Sequence, residues 1–267
     1  MQRLPFALLL VFIAPAIAAQ QPPAATVEMH DGGSTVGEIK KGVRAELLQS
    51  IFIPPLKNAP FSATVLTEWK RTLPDGGTFT LVNSRPVARD SEGRIYQERW
   101  TLVPPSGKYK SQITTIQISD PNAHTFLNCF TLNKPLRCTL EDNQDLSTDR
   151  YVPVTRPSGP LRGMDANNVH QDLGTQTIEG VETKGTRDTI DYAAGAFGND
   201  QPTESKREYW FAPTLGINLL SIVIEPTFGK QTFTITDVKL GEPDPGLFIV
   251  PQGYAVEDHR EPHPPQK

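Results

Sequence analysis

Residues 207–254 restrict the fold more than any other stretch. Three runs rich in β-branched and aromatic residues, at 208–211, 217–224 and 231–238, are separated by A-P-T-L-G and E-P-T-F-G. Each break pairs Pro, which presets a negative φ, with Gly, which accepts a positive one, so the chain reverses within a few residues. Short breaks between such runs predict consecutive antiparallel strands, a meander. The middle run, I-N-L-L-S-I-V-I, is apolar on both faces, which predicts cover on both sides.

The same punctuation recurs upstream. Residues 63–73 lead to P-D-G-G and then to 78–89; D-S-E-G-R turns into 94–103, with Gly93 placed for a positive φ. Within 94–103, Tyr96, Trp100 and Leu102 share one face, and Gln97, Arg99 and Thr101 the other. Strands follow at 112–119 and in a hairpin over 124–141. After an irregular connection at 142–170, read as a surface loop with a functional flap as its alternative, strands resume at 173–178 and 184–192. A short segment at 247–250 follows the meander. Pro at 25 and Gly at 20 of 267 residues suit many turns and few long helices.

The first residues read as an export signal. Arg3 precedes an apolar run at 5–13 and the small-residue stretch A-P-A-I-A-A-Q. That run is too short to span a bilayer, and no later one is long enough. The mature chain is therefore expected to be exported, periplasmic or extracellular, without a transmembrane segment. No Cys follows the cleavage region, which argues against a lipid anchor. Val36, Ile39, Val43, Leu47 and Ile51 form a helical stripe ended by Pro54 and Pro55 and weakened by Gly42. The expected organisation is a signal peptide at 1–19, a disordered leader and short helix at 20–51, an antiparallel β domain at 52–256 and a disordered tail at 257–267. The formal net charge of −4, with basic residues scattered, gives no basis for nucleic-acid binding.

Cys129 and Cys138 are the two cysteines. Folding their hairpin about residues 133–134 sets them directly opposite. CxxC spacing and a nearby His are both missing, and export favours oxidation, so a cross-strand disulfide is predicted over a redox or metal pair.

Catalytic patterns are missing: no G-x-S-x-G, no H-E-x-x-H, no Gly-rich phosphate loop and no EF-hand-like run. His259 and His263 stand four apart, but Pro262 interrupts them, so no metal site is expected. His124 reads as a turn residue, Asn199 and Asp200 as a Gly-Asn-Asp turn, and Arg89, Arg94 and Arg99 as partners in surface ion pairs. No cofactor is implied. The candidates for lining an apolar ligand are Trp69, Phe79, Tyr96, Trp100, Tyr209, Phe211 and Phe233, which fall on strands or at their ends. A filled core claims most of them, and a lined groove a few.

Several stretches together resemble a group of secreted bacterial proteins of unknown function: N-A-P-F-S-A, R-D-S-E-G-R-I-Y-Q-E-R-W, I-S-D-P-N-A-H-T, L-G-T-Q-T-I-E-G-V-E-T-K-G-T-R, G-N-D-Q-P and G-E-P-D-P-G-L-F-I-V-P-Q-G-Y. The hairpin series and its closing P-D-P-x-L-F-x-x-P-x-G-Y are, more distantly, similar to the periplasmic lipoprotein-carrier superfamily. That resemblance implies an incomplete antiparallel barrel with an apolar hollow for acyl chains, and it brings no catalytic residues. The expected fold is all-β: a single strongly curved antiparallel sheet (half-barrel) of about ten strands with a short N-terminal helix. The expected function is non-enzymatic binding of a lipid, a lipoprotein acyl chain or another envelope component. The alternatives are an interaction module of the envelope that works through its strand edges, with an envelope protein as partner, and an enzyme of unknown class.

Overall fold

A computed structural model describes residues 51–132, 134–143 and 156–260. Its strands are β1 (Phe61–Thr72), β2 (Thr78–Arg89), β3 (Ile95–Trp100), β4 (Ile113–Asp120), β5 (Thr125–Phe130) and β6 (Arg137–Asp142), then β7 (Gly159–Pro160), β8 (Ala166–Ile178), β9 (Val181–Tyr192), β10 (Thr203–Ala212), β11 (Ile217–Glu225), β12 (Gly229–Leu240) and β13 (Ala255–Asp258). All thirteen belong to one open sheet in the order β13-β6-β5-β4-β3-β2-β1-β12-β11-β10-β9-β8-β7. Two meanders, β1–β6 and β7–β12, meet where β1 pairs with β12. Register shifts at Ser62/Thr64, Arg99/Trp100, Asp172/Gly174 and Trp210/Phe211 interrupt the ladders. Bulges of this kind increase local twist and bend a sheet.

The all-β expectation and the meander hold, with four differences. Among the described residues the strands number thirteen instead of about ten. The sheet is not wholly antiparallel, because β13 lies parallel to β6, Val256 opposite Cys138. Residues 156–170 are not all loop: they contain β7 and the first residues of β8. The middle run of the meander is covered on one side only: Ile217, Leu219 and Val223 are buried, whereas Leu220, Ile222 and Ile224 are half-buried. Alternation in a half-covered sheet explains this, since nothing requires an apolar outer residue to be buried. The helix expected over 36–51 lies outside the described residues except for Ile51. Among the described residues, the one helical element is a 3-10 turn at Pro245–Phe248, capped by Asp244, whose carboxylate accepts from the Gly246 amide at 2.9 Å.

The main core gathers Phe61, Val65, Val87, Ile217, Leu219 and Ile235 on one face, here termed the core face. It is closed at one end by residues 51–56, with Ile51, Ile53 and Leu56 buried. Arg89 fixes this closure. Fully buried, it donates to the carbonyls of Pro54 (2.8 Å), Ala59 (3.1 and 2.8 Å) and Leu215 (2.6 Å) and stacks 5.1 Å from the Phe61 ring centre. It is a bracket between three chain segments, not the surface ion-pair partner expected of it. Gly93, at φ +83°, adopts the predicted left-handed turn, and a Cβ there would meet the Pro55 carbonyl at 2.6 Å.

A second core occupies the opposite, reverse face over β3–β6. Ala88, Tyr96, Ile118, Leu127 and Phe248 surround the Cys129–Cys138 disulfide. The two cysteines are direct cross-strand partners, as predicted. The closing segment of the chain therefore folds back to cover the half-sheet that the N-terminal closure does not reach.

Candidate functional site

Between the two cores, the reverse face of β1, β2 and β12 is uncovered. Register places Leu220, Thr234, Leu66 and Ser84 in one row across four strands, with Ile222, Thr232, Glu68 and Val82 in the next. Leu66 is 41% exposed in mid-strand. Past the end of β3 the chain adds a wall: Val103 pairs with Val82, its amide donating to the Val82 carbonyl at 3.0 Å and its carbonyl accepting at 2.8 Å. The result is a groove of about 550 Å³ lined by Leu66, Glu68, Val82, Ser84, Val103 and Ser111 with Thr232 and Thr234. Three aliphatic side chains and two threonine methyls dominate its surface.

The seven aromatic candidates divide between the faces. Trp69, Phe79, Tyr209 and Phe233 lie on the core face: Tyr209 pairs with Ser221, Ser221 with Phe233, and Phe233 with Thr67, two residues before Trp69. Phe79 meets Trp69 edge to face at 5.5 Å, and the Trp69 indole donates to the Phe228 carbonyl at 2.6 Å. Phe233 is part of the main core. Tyr96 and Trp100 lie on the reverse face, both donating to Glu98, Trp100 at 2.6 Å; burial, followed by the Glu98 carboxylate, pushes the Tyr96 phenol up. Phe211 sits at the β10 irregularity. The seven therefore do not converge on one lining.

The core face also carries polar groups. Arg99 donates to Gln117 Oε1 at 2.9 Å, and Gln117 to Asn128 Oδ1 at 3.3 Å. Burial, then the neighbouring Arg99 charge, lowers Arg85 to about 9. On β8–β9, His170 Nδ1 lies 2.8 Å from Asp188 Oδ1, which also accepts from Asn168 at 3.3 Å. Sequence reading passed over this cross-strand pair; counting outward from the Glu179–Gly180 turn sets His170 opposite Thr189, and only the one-residue register shift at Asp172/Gly174 brings it opposite Asp188. Ser158 Oγ accepts from the His170 backbone amide, at 2.8 Å, so it is engaged with the main chain and not with the imidazole. Asn199 and Asp200 form the predicted turn, Asn199 accepting from the Phe197 amide at 3.1 Å and donating to Ala193 and Gln201. Among the described residues, no group of three His, Cys, Asp or Glu side chains is placed to hold a metal ion. Nor, among them, is any helix long and apolar enough to cross a membrane.

No protein-family model and no curated protein matches the chain. Solved structures do. MucB of Pseudomonas aeruginosa, in its complex with MucA, is 13% identical at a TM-score of 0.37, the match covering 74% of this chain and 57% of MucB. Lipoprotein LppX of Mycobacterium tuberculosis is 16% identical over 70% of this chain and 88% of its own, TM-score 0.31. A LolA superfamily protein of Nitrosomonas europaea is 9% identical over 72% and 90%, TM-score 0.28. The last of these is from the superfamily that the hairpin series and closing motif resemble.

The groove residues escaped sequence reading. The signal was present: Leu66 and Val82 are apolar at the parity that otherwise carries Thr64, Glu68, Lys70, Thr80 and Ser84. Val103 had no such signal, because its place beside Val82 depends on how the 101–112 connection folds back.

Proposed function

We propose that the protein is a non-enzymatic exported binding protein that holds a lipid, a lipoprotein acyl chain or another apolar component of the cell envelope. The groove over Leu66, Val82 and Val103 carries this reading. Its volume falls within the range of small-ligand sites, and its lining is of the mainly apolar kind that takes a hydrocarbon chain. Covering these side chains releases roughly 25 cal/mol per Å² of apolar surface, a driving force that requires no specific polar anchor. Trp69, Phe79 and Phe233 stiffen the opposite side of the same strands; Tyr96 and Trp100 lie on β3, next to them, and Tyr209 and Phe211 on β10, two strands beyond β12. The export signal at 1–19 delivers the β domain at 52–256 to the periplasm or beyond.

Native mass spectrometry of the mature protein, purified without detergent from its own type of cell, tests the reading. The expected result is a stoichiometric added mass that extracts into organic solvent as a lipid, and loss of that mass in Leu66→Asp with the fold retained. A clean unliganded mass, with no uptake of added fatty acid or phospholipid, would overturn it.

A further inference from the structure

In this sheet the six connections that lead from an odd strand to the next even one, β1–β2 through β11–β12, all emerge at one end. Each carries one large apolar side chain left open to solvent: Leu73, Tyr109, Leu132, Met164, Phe197 and Phe228, between 40% and 59% exposed. The tight even-to-odd turns at the other end, 90–94, 121–124, 179–180 and 213–216, carry none, although Leu240 at the end of β12 is exposed, as are Ile249 and Val250 in the long β12–β13 connection.

Charge divides the same way. The apolar end holds exposed Lys108, Lys110, Lys134 and Arg162 in its connections, with Lys70 and Lys230 on the adjoining strand ends. Its exposed acids are Asp75, Asp165 and Asp200 in the connections and Asp191 and Glu204 on the strand ends. Asp75 is turned onto its own loop, accepting from the Gly77 amide at 2.9 Å. Glu225 and Glu204 nearby are paired with Arg207 and Lys206. The other end exposes Glu92, Glu179, Glu242 and Asp244, against Lys57 and Lys239. Lys70 and Lys230 are direct cross-strand partners, and like charges so placed destabilise a sheet.

We infer that this end of the sheet docks on an anionic phospholipid surface, the six apolar side chains entering the headgroup region and the lysines lying among the phosphates. Single large apolar residues at loop tips, with cations in three of the six connections and Lys70 and Lys230 beside two others, match the two components of interfacial binding, apolar insertion and attraction to acidic lipid. The acidic opposite end faces away from the same surface. The inference does not depend on whether the groove holds a lipid.

Sedimentation of the mature protein with vesicles decides it. Vesicles of phosphatidylcholine alone are compared with vesicles containing about one quarter phosphatidylglycerol, at low and high salt. Binding is expected to the anionic vesicles and to fall with salt. Lys70→Glu and Lys230→Glu should each weaken it by about fivefold or more. Phe228→Ser and Leu132→Ser should weaken it without changing the salt dependence, and Lys57→Glu at the other end should leave it unchanged. Failure to sediment with anionic vesicles, or equal loss in Lys57→Glu and Lys230→Glu, would overturn the inference. Fatty-acid uptake by the same variants keeps the outcomes separate: retained uptake with lost vesicle binding is expected, whereas absent uptake with normal vesicle binding counts against the groove alone.

Discussion

At the scale of single residues, arginine behaves in this protein as an interior group. Arg89 satisfies three carbonyls from segments far apart in sequence. Arg89→Met keeps the volume but strands those acceptors, so a loss of about 3–5 kcal/mol is expected, read as a lower urea midpoint at unchanged slope. Burial lowers Arg89 to about 10, and burial with the Arg99 charge lowers Arg85 to about 9. In the unfolded chain both hold their protons to beyond pH ~12. The folded state thus binds fewer protons from about pH 9 upward, and stability from this source grows with pH there and is absent at neutrality, where both states are protonated. The unfolding free energy of the native protein relative to Arg85→Met should therefore rise between pH ~8 and ~10. A constant or shrinking difference would show that the guanidinium keeps its ordinary proton affinity.

At the scale of elements, the disulfide hairpin and the C-terminal segment act together. Cys129 and Cys138 join β5 to β6 in the centre of the reverse-face core. The covalent loop is short, so replacing both by alanine should cost about 2–3 kcal/mol. Its effect should be local. β13 pairs with β6 alone, Val256 opposite Cys138, and Phe248 packs in the same cluster. Amides of β13 should lose hydrogen-exchange protection in the double variant before those of β1 or β12 do. Unchanged protection in β13 would show that the segment is held by its own packing. Glu208 shows a different kind of local support. Burial opposes its ionisation, but hydrogen bonds from the Trp210 indole and Arg187 outweigh this and hold the carboxyl below its usual value.

At the scale of the whole sheet, the two cores cover different regions on different faces, and the space between them is the groove. The N-terminal closure lies on the core face at one end, and the C-terminal segment lies on the reverse face over β3–β6. Leu66, Val82 and Val103 fall under neither. The strand count and turn positions set which connections share an end, and that shared end collects apolar and basic residues that are scattered along the chain. A vesicle-binding measurement and a ligand mass therefore probe two independent consequences of one topology.

The sequence by itself determined the local rules. The 78–89 strand has the boundaries expected of it, Gly93 turns with positive φ, and the cysteines meet because hairpin counting depends only on neighbours in the chain. Period-two alternation marked the strands. Only the tertiary structure decided the rest. Which half of the sheet each terminal segment covers depends on long-range docking, so the aromatic candidates could not be assigned to a face. That Arg89 is buried depends on carbonyls 30 to 126 residues away. The parallel pairing of β13 required a free edge on β6. The groove depends on what the two cores leave open, and no local pattern records an uncovered place.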